Sequence, residues 1–225
     1  MTETLPRRLA AEACGSLLLA VAVIGSGVMG ERLAAGNAAI ALLANTGATV
    51  AVLAVIIRLF APVSGAHFNP AVTLVLALRR EIEWRDAALY TIVQIAGCCA
   101  GALLAHAMFE LPLLQAGTHA RTGAAQWLAE VVATSGLVLV ILGLQDRRDI
   151  AWAVAGWIGA AYWFTASTSF ANPAITLARS LSDTFAGIRP ADAPSFIAAQ
   201  CLGAVLGLVA SYSIFTRQSG RPAAR

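Results

Sequence analysis

Six apolar runs dominate this chain, at roughly 9–29, 38–60, 86–108, 125–144, 151–168 and 194–215. A helix needs about 20 mostly apolar residues to cross the hydrocarbon of a bilayer, and each run is close to that length. Unpaired backbone is costly in lipid, so six such runs leave few options besides a helical membrane bundle. The charge content points the same way. Only 12% of the residues are charged and 59% are hydrophobic, whereas a soluble domain is about 25% charged. So few charges cannot cover a soluble globule of 225 residues.

The polar residues that remain argue against several function classes. All fifteen basic residues are Arg, spread in ones and twos with no basic stripe, so nucleic acid is not an expected partner. Cys14, Cys98, Cys99 and Cys201 lie within apolar runs and read as small packing residues, not as disulfides or metal ligands. No metal or cofactor is expected. Arg7 and Arg8 ahead of the run from Leu9 to Met29 mimic a signal peptide, but the run is longer than a signal core. It is expected to stay as a span. Six spans put both termini on one face, with Arg7, Arg8, Arg58, Arg79, Arg80, Arg85, Arg147, Arg148, Arg217, Arg221 and Arg225. Arg32, Arg121, Arg179 and Arg189 fall on the other. The positive-inside rule then predicts a multi-pass protein of the cell membrane with both termini cytoplasmic.

The chain reads as a single domain, 1–225, made of two similar halves. The first half, 9–108, opens with Ala11-Glu12 and Gly15-Ser16-Leu17-Leu18-Leu19. The second, 125–215, opens with Ala129-Glu130 and Ser135-Gly136-Leu137-Val138-Leu139. Each half has one Asn-Pro-Ala and closes with a Gln-x-x-Gly helix, Gln94 to Gly97 and Gln200 to Gly203. Three spans per half make the second half enter the membrane from the opposite side. Such inverted repeats place their pathway at the repeat interface, near the midplane.

The two Asn-Pro-Ala motifs carry the chemistry. Asn is a good N-cap and Pro suits the first helical position. Asn69-Pro70-Ala71 and Asn172-Pro173-Ala174 therefore predict helix starts, each helix about ten residues and half a span long. Two half-helices meeting N-terminus to N-terminus put two positive dipole ends at the midplane, a barrier to cations and protons. The Asn69 and Asn172 amides are placed to donate to a passing oxygen.

The stretch Ser64-Gly65-Ala66-His67-Phe68-Asn69-Pro70-Ala71-Val72-Thr73 closely resembles the first pore loop of the aquaporin and glycerol-facilitator (major intrinsic protein) family. The resemblance covers nearly the whole chain. It implies an all-α membrane fold of six transmembrane helices plus two re-entrant half-helices, a passive channel for water or small uncharged solutes, and a homotetramer with one pore per protomer. It also implies that Glu12 and Glu130 brace the pore-loop backbones and that His67 lies near the cytoplasmic pore. A packing role for His67 stands beside that reading.

One departure concerns selectivity. Most of the family carries Arg directly after the second Asn-Pro-Ala; here that residue is Ile175. Ungapped counting from the motifs places the rest of the outer filter on Thr49, Ala160 and Ser169. All four are small or aliphatic, which predicts a wider filter. It would admit glycerol, urea, hydrogen peroxide or a metalloid hydroxide such as arsenous acid. Arg179 lies one turn beyond Ile175. The expected arrangement has it snorkelling to water or pairing with Asp183; the alternative has it reaching back into the vestibule.

Other readings fare less well. His67, His106 and His119 are scattered and no nucleophile–base spacing is present, so an enzyme is not expected. The spans lack the carboxylates that ion-coupled transport uses. A non-conducting structural protein of the same fold and a strictly water-selective channel remain as alternatives.

Overall fold

The computed structural model describes residues 3–145 and 148–215. Arg147, Arg217, Arg221 and Arg225 of the charge count lie outside them. The described residues form eight α-helices: α1 (Leu5–Leu33), α2 (Ala38–Ser64), α3 (Pro70–Leu78), α4 (Trp84–Met108), α5 (Ala124–Leu144), α6 (Ile150–Phe164), α7 (Pro173–Ser180) and α8 (Ala193–Ile214). A 3-10 turn at Pro190–Asp192 leads into α8.

Five helices are long and apolar enough to cross a membrane, and α6 is shorter, at 15 residues. At 1.5 Å per residue α6 reaches about 22 Å. The fifth run was expected to continue to 168, but the helix stops at Phe164. Thr165 turns to an extended conformation and its hydroxyl bonds back to Ala161 O at 2.6 Å. The Thr-Ala-Ser-Thr-Ser sequence that follows offers the backbone local alternatives to helix. α1 and α2 each run on past the expected boundary, α2 through Pro62 in its last turn.

Contacts come in matched sets. α1 packs on α2 and α4, as α5 packs on α6 and α8; α3 lies between α4 and α8, and so does α7. Small residues allow the close α1–α4 and α5–α8 crossings. A Cβ at Gly203 would stand 2.5 Å from Val131 O and one at Gly207 2.6 Å from Ser135 O. Gly97 and Gly101 lie equally close to Ala13 O and Leu17 O. Many large apolar side chains face outward instead, among them Leu43, Val55, Ile92, Leu128, Val209 and Ile214. Water would not tolerate that surface, but lipid does.

Candidate functional site

Two short helices, α3 of nine residues and α7 of eight, bring their N-termini to the middle of the bundle. The Asn side chain caps each one. Asn69 Oδ1 accepts from Ala71 N at 2.9 Å, and Asn172 Oδ1 accepts from Ala174 N at 2.9 Å. Pro70 and Pro173 follow at the first helical position, where a missing N–H costs nothing.

The caps also lock the halves together. Asn69 Nδ2 donates to Ala171 O at 2.7 Å, and Asn172 Nδ2 donates to Phe68 O at 2.8 Å. Each amide has two N–H groups, so one is committed across the interface and one remains for the lumen. Pro70, Ala71, Pro173 and Ala174 do not reach the cavity. The two alanines are fully buried in the packing behind it.

Behind each half-helix stands the same bonded set. Glu12 accepts from Ser64 Oγ (2.6 Å), His67 N (3.0 Å), Phe68 N (2.7 Å) and Gln94 Nε2 (2.7 Å). Glu130 accepts from Phe170 N (2.9 Å), Ala171 N (2.8 Å) and Gln200 Nε2 (2.7 Å). The glutamines also donate to Thr73 and Thr176, whose hydroxyls in turn bond Asn69 O and Asn172 O. Sequence reasoning missed this role of the glutamines and threonines. The signal was there: Gln-x-x-Gly recurs in both halves, and Thr stands third after each proline.

The two loops held this way have non-glycine residues at positive φ: Ala66 and Phe68 in one, Thr168, Ser169 and Ala171 in the other. Among the described residues, the carbonyls of Gly65, Ala66, His67, Ser169 and Phe170 accept no hydrogen bond. All five residues line one cavity that runs past both Asn-Pro-Ala motifs. The opposite wall is aliphatic, with Leu19, Val23, Leu53, Leu137, Val154 and Ile158. The cavity leaves about 120 Å³ open to the centres of water molecules, where one water needs roughly 10–15 Å³. It is an acceptor track on a greasy wall, able to hold a short file of water or hydroxyl-bearing molecules.

At the end nearer the chain termini, His67 lines the cavity. Its Nδ1 lies 3.1 Å from Thr73 Oγ1 and its ring 5.1 Å from that of Tyr90. Tyr90 is held in turn by Arg8 Nε at 2.8 Å and donates to Ser64 O at 3.0 Å.

At the opposite end, Thr49, Ser169 and Ile175 line the cavity, but Ala160 does not. Ala160 is exposed on the outer surface of α6. The expected filter position is corrected to its neighbours Ile158 and Tyr162, which do face inward. Residues two apart on an α-helix lie some 200° apart, so a count off by two turns the side chain to the far face. Tyr162 OH lies 3.4 Å from Thr49 Oγ1.

Arg179 also differs from its expected arrangement. It is only 2% exposed, lines the cavity, and does not pair with Asp183. Asp183 accepts instead from Thr118 N and Oγ1, at 3.0 and 2.7 Å. The Arg179 guanidinium lies over the Phe170 ring and its Nε donates to Ala186 O. Arg121, not singled out from the sequence as a site residue, buttresses the same region through Gly187 O (2.9 Å) and Ser167 O (3.1 Å).

The comparisons with known proteins agree with this architecture. The sequence model of the family described as Major intrinsic protein matches residues 2–151 and 146–225. The aquaglyceroporin AqpS of Rhizobium meliloti (strain 1021) is 55% identical over 206 residues, covering 91% of this chain and 88% of that one. The probable aquaporin PIP2-8 of Oryza sativa subsp. japonica is 35% identical over 157 residues, or 64% of this chain and 54% of that one. The solved aquaglyceroporin from Plasmodium falciparum superposes with a TM-score of 0.70 at 19% identity, covering 94% and 97% of the two chains, which speaks to the fold. The chain belongs to the major intrinsic protein family.

Proposed function

We propose that this membrane channel passes small uncharged solutes larger than water, such as glycerol-like polyols and metalloid hydroxides of the arsenous acid type, together with water. The observation that carries the reading is Ile175. It occupies the position after the second Asn-Pro-Ala, where a guanidinium would otherwise narrow the lumen, and it faces the cavity beside Thr49, Ser169 and Ile158. An aliphatic side chain at that position leaves room for a wider neutral solute than a guanidinium there would. The AqpS relative is called an aquaglyceroporin, which supports the same class of solute. Protons are opposed by the two half-helix N-termini that meet at Asn69 and Asn172.

A water-selective channel is the second reading, favoured by Tyr162 and Arg179, both of which reach the lumen. The two halves, 9–108 and 125–215, are read as inverted repeats, a reading supported by their matched contacts. Among the described residues, Arg7, Arg8, Arg58, Arg79, Arg80, Arg85 and Arg148 outnumber the four arginines of the other face. That excess supports cytoplasmic termini in a cell membrane. A homotetramer follows from the family resemblance.

The test is stopped-flow light scattering on proteoliposomes with gradients of an impermeant osmolyte, glycerol and arsenous acid, comparing wild type with Ile175→Arg. Passage of the larger solutes by wild type and their suppression by Ile175→Arg are the expected result. Movement of water alone, little changed by the substitution, selects the water-selective reading. Flux no faster than in empty liposomes moves a structural role to the front.

A further inference from the structure

The cavity end away from the termini holds a charge that the protein leaves unanswered. Arg179 is almost wholly buried, yet the only hydrogen bond its guanidinium makes among the described residues runs from Nε to Ala186 O. Nη1 is buried with no partner among the described residues. The hydroxyl of Ser169, which lines the same cavity, is likewise buried and unpartnered. Ion pairs among the described residues involve Arg7, Arg8, Arg79 and Arg189, not Arg179. The carboxylate behind Phe170, Glu130, is occupied by two backbone N–H groups and Gln200. Arg121, 5.0 Å from the same Phe170 ring, adds a second guanidinium. Buried donors without partners are costly, a buried charge most of all, and a site that keeps them is built for something that enters.

The geometry also says what enters. A guanidinium held at Nε by a carbonyl, with its Cζ 3.3 Å from a ring centroid, has its Nη edge fixed in one direction. That edge matches two oxygens on one centre, and its charge favours a negative one. Ile175 and Ile158, which also line the lumen, cannot solvate an ion. An anion drawn to the mouth therefore binds there and goes no further.

We propose that Arg179 and Ser169 form a binding site for a small monovalent oxyanion, of which a monocarboxylate is the simplest, and that its occupancy obstructs the passage of neutral solutes. The proposal rests on the channel reading above. The Arg179 edge takes both oxygens, and the Ser169 hydroxyl donates to one of them.

The experiment measures water and glycerol flux in proteoliposomes with sodium acetate at equal concentration on both sides at pH 7.5. Acetamide, its neutral near-isostere, is the control. In wild type, acetate at twice its Kd leaves the site free about one third of the time and slows flux about threefold, whereas acetamide does not. Arg179→Gln abolishes the slowing. Arg179→Lys, which keeps the charge without the fork, and Ser169→Ala each weaken it. Equal slowing by acetate and acetamide, or full acetate slowing in Arg179→Gln, overturns the proposal. A second readout does not depend on flux: acetate, and not acetamide, raises the unfolding temperature of the detergent-solubilised wild type but not of Arg179→Gln. No acetate effect there sinks the site even if the channel conducts. An intact acetate effect with no flux sinks the channel reading and leaves the site.

Discussion

Gln94 donates its side-chain amide to Glu12 at 2.7 Å, and in the other half Gln200 makes the same bond to Glu130 at the same distance. Each pair ties a half-helix loop to two full-length helices. The pairs do not bear equal weight within themselves. Removing Glu12 strands His67 N, Phe68 N and Ser64 Oγ at once and takes one acceptor from Gln94. A stranded buried donor costs about 1–3 kcal/mol, so Glu12→Leu is expected to lose several kcal/mol. Gln94→Leu strands no backbone group of the loop, and the smaller loss of about 1–2 kcal/mol is expected. Heating the two variants in detergent and measuring the monodisperse fraction gives the order. Equal losses would mean that the loop is held by something other than the carboxylate.

The filter correction is testable by size alone. Ala160 is exposed on α6, so Ala160→Trp is expected to leave solute flux unchanged. Thr49 is 2% exposed and lines the lumen beside Tyr162, so Thr49→Trp is expected to close it. A loss of tenfold or more corresponds to only about 1.4 kcal/mol of added barrier. Flux through liposomes at matched protein density decides; a block by Ala160→Trp would restore the original count.

The two cases show which parts of the site were legible in the sequence. The half-helix starts were plain because Asn and Pro act locally: the cap and the first helical position need nothing from the rest of the chain. Six runs were visible for the same kind of reason, since lipid imposes length and composition on each run separately. Ala160 was misplaced because an ungapped count assumes constant loop and helix lengths between motifs. α6 ends at Phe164, and the loop to Asn172 descends through three residues at positive φ. Arg179 was misread because its neighbours Phe170 and Ala186 lie in loops whose path no periodicity reveals. Sequence pattern gives the face of a helix; it does not give what a loop folds over that face.

The loops at the Arg179 end carry a pH signature. Burial first, and then the Arg121 and Arg179 guanidinium groups, hold His119 below its ordinary value of 6.5. The Thr118 hydroxyl and backbone N–H hold the Asp183 carboxyl below the usual carboxylate range. A histidine with a lowered folded value binds fewer protons than in the unfolded chain between the two values. Stability therefore falls as pH drops below about 6.5 and levels off once the folded value is passed. The Asp183 contribution persists above the unfolded carboxylate value of about 3.9 and disappears only below that range. Unfolding temperatures are thus expected to be flat from pH 8 to 7 and to slope downward below 6.5, with His119→Gln reducing the slope. An unchanged slope in that variant would assign the effect to another group.

The last prediction separates helix packing from helix propensity. Gly203 on α8 and Gly156 on α6 are both helical, but a Cβ at Gly203 would stand 2.5 Å from Val131 O, while one at Gly156 meets nothing within 4 Å. Gly203→Ala must push α8 off α5, and overpacking of this kind costs roughly 1–3 kcal/mol. Gly156→Ala is expected to be neutral or to stabilise by up to about 1 kcal/mol through the reduced entropy of the unfolded chain. The effect of Gly203→Ala also reaches function. Gln200, one turn before Gly203, bonds both Glu130 and Thr176, so a shifted α8 loosens the Asn172 loop and the lumen with it. Thermal unfolding in detergent and solute flux in liposomes are expected to fall together for Gly203→Ala and to stay level for Gly156→Ala. Loss of stability with normal flux would show that the half-helix loop keeps its shape without α8.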